Sequence, residues 1–189
     1  MDRAVFLDRD GVINPNVFNP TTEKWESPHC PEDFGLFPDV LVSLQRLRLR
    51  YRLFLVSNQP SYSKGKTSLS NIKKIHEKMK VILDENELGF DDYFYCYHHP
   101  DGIVPEYSGL CDCRKPSPYF LDLAKKKFEL NMAQSWMVGD RGTDIQCGQA
   151  GGVRTIFIQG RPSEFSGNIF SDFNAQSLSE ATNIIIEHS

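Results

Sequence analysis

A basic excess is missing from this chain. Lysine and arginine number 21 against 25 aspartates and glutamates, a net charge of -4, which argues against a surface built to coat a phosphate backbone. No apolar run approaches the roughly 18 residues that a membrane span requires. Internal repeats and low-complexity tracts are lacking too, so solenoids and disordered linkers drop out. Cysteines are few and odd in number, five in 189 residues, a poor basis for a disulfide framework. The first apolar run begins almost at the initiator Met, leaving no room for a signal peptide. A reducing, cytoplasmic setting is expected, with no nucleic-acid or membrane partner, and a monomer or weak oligomer.

What is present suffices for one ordinary domain over 1–189, with 40% of residues hydrophobic and 12% aromatic. Short apolar runs at Ala4–Leu7, Arg52–Val56, Tyr93–Cys96, Trp136–Val138 and Thr155–Ile158 read as buried strands. Between them lie helical patterns. One follows Pro38, with Leu41, Leu44 and Leu47 inward. A second spans about 68–87, with Ile72, Ile75, Met79, Ile82 and Leu83 inward and Gly89 as its stop. A third is capped by Ser117 with Pro118 at its first position, continuing through Phe120, Leu123, Ala124 and Phe128. A last one opens on the Ser177/Glu180 capping box. The alternation predicts an α/β fold, a Rossmann-like doubly wound parallel sheet with helices on both faces. Residues 14–36 carry four prolines and Phe18, Trp25 and Phe34 among polar residues. A loop that long is usually functional, and there is room in it for a hairpin over a site.

Ligands of such sheets bind beyond the carboxyl ends of the strands. There the chain places Asp8, Asp10, Ser57, Asn58 and Asp140. Three converging carboxylates would repel one another, and a hard divalent cation such as Mg²⁺ removes the conflict. A carboxylate so held stays ionised and can attack phosphorus, and a second acid two residues on can protonate the leaving oxygen. Gly11 lets the backbone turn close to the ligand. By itself Asp8-Arg9-Asp10 reads equally well as a solvated turn, and Arg114-Lys115 as a basic surface turn. Together they offer Lys115 to a phosphoryl group and Arg114 to a further phosphate or sugar oxygen. Arg9 and Asn58 join Arg114 as candidate substrate-binding residues. Cys96-x-His98, then Cys111-x-Cys113, supplies the ligand types and number of a structural Zn²⁺ site, with His99 competing for the nitrogen position. Cys113 adjoins Arg114, so this loop, about 96–113, would steady the cations. Cys30 and Cys147 stand apart as ordinary thiols.

These blocks resemble the haloacid dehalogenase superfamily of phosphohydrolases. Asp8-Arg9-Asp10-Gly11-Val12 matches its first motif, Ser57-Asn58-Gln59 its second, Lys115 its third, and Gly139-Asp140-Arg141 with Asp144 its fourth. The small capless members with a zinc loop are the most similar branch. That resemblance implies an aspartyl-phosphate on Asp8, with Asp10 as acid and then base. It puts Mg²⁺ on Asp8, the Asp10 carbonyl and Asp140, with Ser57 and Lys115 at the phosphoryl group. Its implied substrate is a small phosphorylated metabolite, foremost a heptose 1,7-bisphosphate losing its 7-phosphate. Histidinol phosphate is the rival, since Glu23, Glu26, Glu32 and Asp33 would suit a cationic substrate. An inert zinc-stabilised binding protein fits less well, because Asp8, Asp10, Lys115 and Asp140 are all kept. Pro60 and Tyr62 are foreign to the branch, as is the length of 14–36.

Overall fold

A computed structural model describes residues 1–160 and 170–189. Among them, six strands form one parallel sheet: β1 (Ala4–Leu7), β4 (Arg52–Asn58), β5 (Asp92–Cys96), β6 (Trp136–Gly139), β7 (Arg154–Ile158) and β8 (Phe173–Ala175). Their spatial order is β5-β4-β1-β6-β7-β8. The chain builds outward from β1 to one edge, then returns to β1's other side for β6. That reversal between β1 and β6 is the switch point where open α/β sheets bind ligands. Asp8 and Asp140 follow these two neighbouring strands.

Period-2 alternation divides the core into two layers. Val5, Leu7, Leu53, Leu55, Trp136 and Val138 face α1 (Val40–Arg48), α2 (Leu69–Asp84) and α5 (Leu178–Glu187). Ala4, Phe6, Phe54, Val56 and Met137 face α3 (Tyr119–Phe128) and α4 (Gly142–Ala150). Both faces are covered, which is why these strands read as continuous apolar runs. No helix among the described residues is long and apolar enough to cross a membrane.

Three local expectations change. The second helix ends at Asp84, and the left-handed residue that closes its turn is Glu87 (φ 55°), with Leu88 N–H donating to Leu83 C=O. Gly89 is therefore not its stop. The third helix starts one residue late: Pro118 takes the cap place and Ser117 Oγ accepts from Tyr119 N–H at 3.3 Å. Its buried residues are Leu121 and Ala124, while Leu123 is 41% exposed. The short strand β8, FNA, carries no apolar run to announce it.

Within 14–36 lies the hairpin that the loop left room for, β2 (Val17–Asn19) paired antiparallel with β3 (Lys24–Glu26). Its aromatic residues Phe18 and Trp25 are direct cross-strand partners.

Candidate active site

Three carboxylates, Asp8, Asp140 and Asp144, meet at the switch point with oxygens within 4.8 Å of one another, all buried. Asp8 leaves β1 and Asp140 leaves β6. Asp144 sits in the first turn of α4, its Oδ2 accepting from Arg141 N–H at 3.0 Å. Lys115 binds two of the three: its Nζ is 2.9 Å from Asp8 Oδ1 and 2.7 Å from Asp144 Oδ1, and it donates to Val56 C=O at 2.6 Å. The ammonium is thereby saturated, and its backbone is clamped as well. Lys115 N–H donates to Asn58 Oδ1, and Asn58 Nδ2 donates to Lys115 C=O, each at 3.1 Å.

Asp140 has Arg141 and Lys115 as neighbouring charges, but neither bonds to it among the described residues. Neither of its buried carboxylate oxygens has a hydrogen-bond partner among the described residues. Burial, then Asp8 and Asp144, push its pKa well above the ordinary value. Burial likewise raises Asp8, opposed by Lys115. Burial works against the Lys115 charge, but Asp144 and Asp8 outweigh it and hold the ammonium protonated. Gly11, at φ +91°, clears the space in front of Asp140: a β-carbon there would lie 2.1 Å from Asp140 Oδ2. Unpartnered buried oxygens, an excess of carboxylate and a cleared approach together suit a hard divalent cation.

Asp10 is held apart from this cluster. Arg9 donates to it from Nε (3.2 Å) and Nη2 (2.9 Å), Asn14 Nδ2 at 2.9 Å and Gln59 Nε2 at 2.6 Å. Burial raises its pKa, but the Arg9 charge and these hydrogen bonds overcome that and bring it below the ordinary value. Arg9, a candidate substrate-binding residue, is fully buried and is not among the residues that line the cavity. A guanidinium in that setting must be paired, and it binds Asp10 and Gln59 instead. Ser57 is likewise buried and not among the residues that line the cavity, its Oγ accepting from Gln59 Nε2 at 2.9 Å.

Above these groups opens a cavity of about 260 Å³. Its wall includes Asp8, Asp10, Asn58, Lys115 and Arg114 as expected, and also Trp25, Glu26, Ser27 and His29 from the hairpin segment. Lys64, Lys66, Arg141 and Thr143 line it as well. Of the four acids considered for a cationic substrate, only Glu26 reaches the cavity, and it is committed to Lys66, Asn19 and Thr22.

Arg114 ties the cavity to the second cluster, donating from Nη1 to His98 C=O at 3.1 Å. There Cys96, His98, Cys111 and Cys113 converge. Cys111 Sγ is 3.6 Å from both Cys96 Sγ and Cys113 Sγ, and His98 Nδ1 is 3.9 and 3.7 Å from Cys96 and Cys113. A tetrahedral ion with metal–sulfur bonds of about 2.3 Å spaces its sulfurs about 3.8 Å apart. His98 takes the nitrogen place. His99 is turned away, its Nδ1 accepting from Asp101 N–H at 3.0 Å.

The sequence names Gln59 and Asp144 as motif members without a role and leaves room for a hairpin over the site without naming its wall residues, and Asn14 goes unnoticed. One signal for Asp144 was available: an acid in the first turn of a helix that starts directly after a strand-end Asp.

Residues 112–165 match the HAD-hydrolase-like family model. The chain is 36% identical over 157 residues to D-glycero-alpha-D-manno-heptose-1,7-bisphosphate 7-phosphatase of Photorhabdus laumondii, covering 82% of this chain and 81% of that one. It is 31% identical over 180 residues to D-glycero-beta-D-manno-heptose-1,7-bisphosphate 7-phosphatase of Escherichia coli K12, covering 94% and 90%. The crystal structure of D,D-heptose 1,7-bisphosphate phosphatase from B. bronchiseptica, complexed with magnesium and phosphate, superposes with a TM-score of 0.79. That pair is 23% identical over 99% of each chain, a likeness of fold.

Proposed function

For a chain that belongs to the HAD-like hydrolases, alongside the heptose-1,7-bisphosphate 7-phosphatases, we propose hydrolysis of the 7-phosphate of D-glycero-D-manno-heptose 1,7-bisphosphate. The observation that carries this is the Asp8–Lys115–Asp144 ion-pair chain on the wall of a cavity ringed by further cations, with the carboxylate of Asp140 within 4.8 Å of those of Asp8 and Asp144.

Asp8 and Asp140, with the Asp10 carbonyl, would hold Mg²⁺, and Asp144 steadies Lys115 beside them. Bound there, Mg²⁺ supplies charge neutralisation for the phosphoryl oxygens. Asp8 attacks phosphorus as the bond to the sugar oxygen breaks, giving an aspartyl-phosphate and a sugar alcohol whose oxygen takes its proton from Asp10. Lys115 offsets the charge that develops on the transferring group. Ser57 already accepts from Gln59, so its own proton is left to donate. Asp10 rests ionised in its cradle, a state fitted to the second half-reaction, where it takes a proton from the attacking water. Its acid role in the first half draws on the proton of a phosphate monoester monoanion, whose second pKa is about 6. Arg114 and Arg141 stand on the wall where the substrate's other phosphate would lie. Zn²⁺ in the Cys96/His98/Cys111/Cys113 set would fix the loop that delivers Arg114 and Lys115.

The test is phosphate release with Mg²⁺ from both anomers of the heptose bisphosphate and from histidinol phosphate. The expected result is turnover of a heptose anomer at least tenfold faster than histidinol phosphate, roughly one hydrogen-bonded contact's worth of discrimination. Equal, slow release from all three would overturn the substrate, and unchanged release by Asp8→Asn would overturn the chemistry.

A further inference from the structure

Almost every group on the cavity wall is charged or polar. Pro60 apart, Trp25 is the only large apolar side chain among the described residues that line it. It remains 42% exposed, and its strand partner Phe18 is 47% exposed. A two-stranded hairpin is marginal by itself in water, so an exposed tryptophan on one needs both a reason and a support.

The support is visible. Phe18 meets Trp25 edge-on, with ring centroids 5.6 Å apart at 60°. The next residue, Glu26, is buried and bound to Lys66, Asn19 and Thr22. Ser27 Oγ lies 3.0 Å from Ser61 Oγ, and His29 C=O accepts from Asn71 Nδ2 at 3.2 Å and from Thr67 Oγ1. The bonds to Asn19 and Thr22 close the hairpin on itself, while those to Ser61, Lys66, Thr67 and Asn71 tie it to the stretch after β4 and the start of α2, and Ser61 and Lys66 line the cavity. The indole is therefore held at the wall and not merely tethered near it.

We infer that Trp25 is a specificity-determining residue: a platform on which the ring of a sugar phosphate lies, C–H face against the indole, while the cations hold its phosphates. This deepens the phosphatase reading and rests on it. A pyranose has hydroxyl edges and a C–H face of slight positive polarity, which complements the negative face of an aromatic ring. Phosphates alone have nothing to gain from an indole. An acyclic phosphate gains little, so the platform separates ring substrates from chain ones.

The test compares wild type, Trp25→Ala and Trp25→Phe on D-glycero-D-manno-heptose 1,7-bisphosphate and on glycerol 3-phosphate. Trp25→Ala is expected to reduce the ratio of kcat/KM values, sugar over glycerol phosphate, about tenfold, mostly through the sugar's KM. Trp25→Phe keeps a ring and should retain most of the ratio. An unchanged ratio in Trp25→Ala overturns the inference. A second readout needs no turnover, because the other tryptophan, Trp136, is fully buried. In Asp8→Asn protein with Mg²⁺, the heptose bisphosphate or mannose 6-phosphate should change the emission far more than inorganic phosphate does, and Trp25→Phe should abolish the change. Equal responses to sugar phosphate and to inorganic phosphate overturn the inference. If wild type hydrolyses neither substrate, the phosphatase reading fails, and the emission arm still decides the platform.

Discussion

Replacing Asp140 by asparagine should strengthen the magnesium-free protein and remove its response to magnesium. In the folded chain Asp140 is buried with two unpartnered oxygens, beside Asp8 and Asp144, which already share the charge of Lys115. Its pKa in the fold lies well above the ordinary 3.8. Between that value and the raised one, the native state holds a proton that the unfolded chain has released. Its contribution to stability is thus fully present below about 3.8 and is lost as pH rises through the raised pKa. A buried polar group without a partner costs about 1–3 kcal/mol. An asparagine carries no charge, and its amide can donate to the neighbouring carboxylates.

For a chain of this length, 1 kcal/mol moves Tm by about 2–4 °C. Without magnesium, at neutral pH, Asp140→Asn should therefore melt roughly 4–8 °C above wild type, taking a mid-range 2 kcal/mol. The gap should narrow as pH falls through the raised pKa of wild-type Asp140. Magnesium at a hundred times its Kd adds about 2.7 kcal/mol to wild type, so about 5–11 °C, and nothing to the variant. The order of the two melting curves then closes or reverses on adding one ion. Scanning fluorimetry in magnesium-free buffer without chelator reads this while leaving the cysteine–histidine site undisturbed. A variant less stable than wild type without magnesium would refute the account of Asp140 as an uncompensated charge. A variant that keeps the magnesium shift would refute its assignment as a ligand.

Lys115→Met leaves Asp8 and Asp144 buried without their shared cation, and urea unfolding should show a loss of about 3–5 kcal/mol with no measurable turnover. A loss below about 1 kcal/mol would mean that the pairs contribute only as surface pairs do. Elemental analysis should find zinc at one ion per chain, and its removal should raise KM through Arg114 more than it lowers kcat; metal-free protein with unaltered kinetics contradicts the supporting role. Glu26 is pulled upward by burial but brought down to about 2 by Lys66, Asn19 and Thr22. The hairpin tie is then complete above the ordinary 4.5 and lost as pH falls toward about 2, so acrylamide quenching of Trp25 should rise over that window and be high at every pH in Glu26→Gln.

Strands and acids were legible because their causes are local. A strand covered on both faces must be apolar throughout, so Ala4–Leu7 and Trp136–Gly139 announce themselves, and the acids beyond them inherit the binding edge of the sheet. The four metal-type ligands were legible from residue type and spacing, but the choice of His98 over His99 was not. It depends on which ring turns toward Cys113. The setting of Arg9 was not legible: its charge suggests phosphate, whereas the fold buries it and pairs it with Asp10. Trp25, Lys66 and His29 share a wall only because β2 and β3 pair in a given register and dock on the stretch after β4. No periodicity encodes that. Glu87, not Gly89, closes α2 for a similar reason: the turn is set by where Leu88 can bond back to Leu83.

The second cluster answers a problem of reach. β5 lies at the sheet edge, with β4 between it and β1, so about 10 Å of sheet separates it from Asp8 at the spacing of neighbouring strands. The segment that leaves β5 must return across that distance and place the Lys115 ammonium between Asp8 and Asp144. It does so with little regular structure, one 3-10 turn at Pro105–Tyr107. An irregular stretch of that length does not hold a side chain to hydrogen-bond tolerance unaided. Three fasteners divide the work. The Cys96/His98/Cys111/Cys113 set gathers its two ends, Ser63 C=O accepts from Ile103 N–H at 2.6 Å in its middle, and the Asn58 amide grips its last residue. Only the first would depend on an ion that can be removed without changing a residue. Metal removal should therefore act as a positional defect, felt first where the loop is farthest from its remaining anchors. Arg114 depends on His98 for its own hydrogen bond, whereas Lys115 keeps Asn58, Asp8 and Asp144. Substrate binding should weaken before phosphoryl transfer slows, and a preparation in which kcat collapses first would place the metal in the chemistry itself.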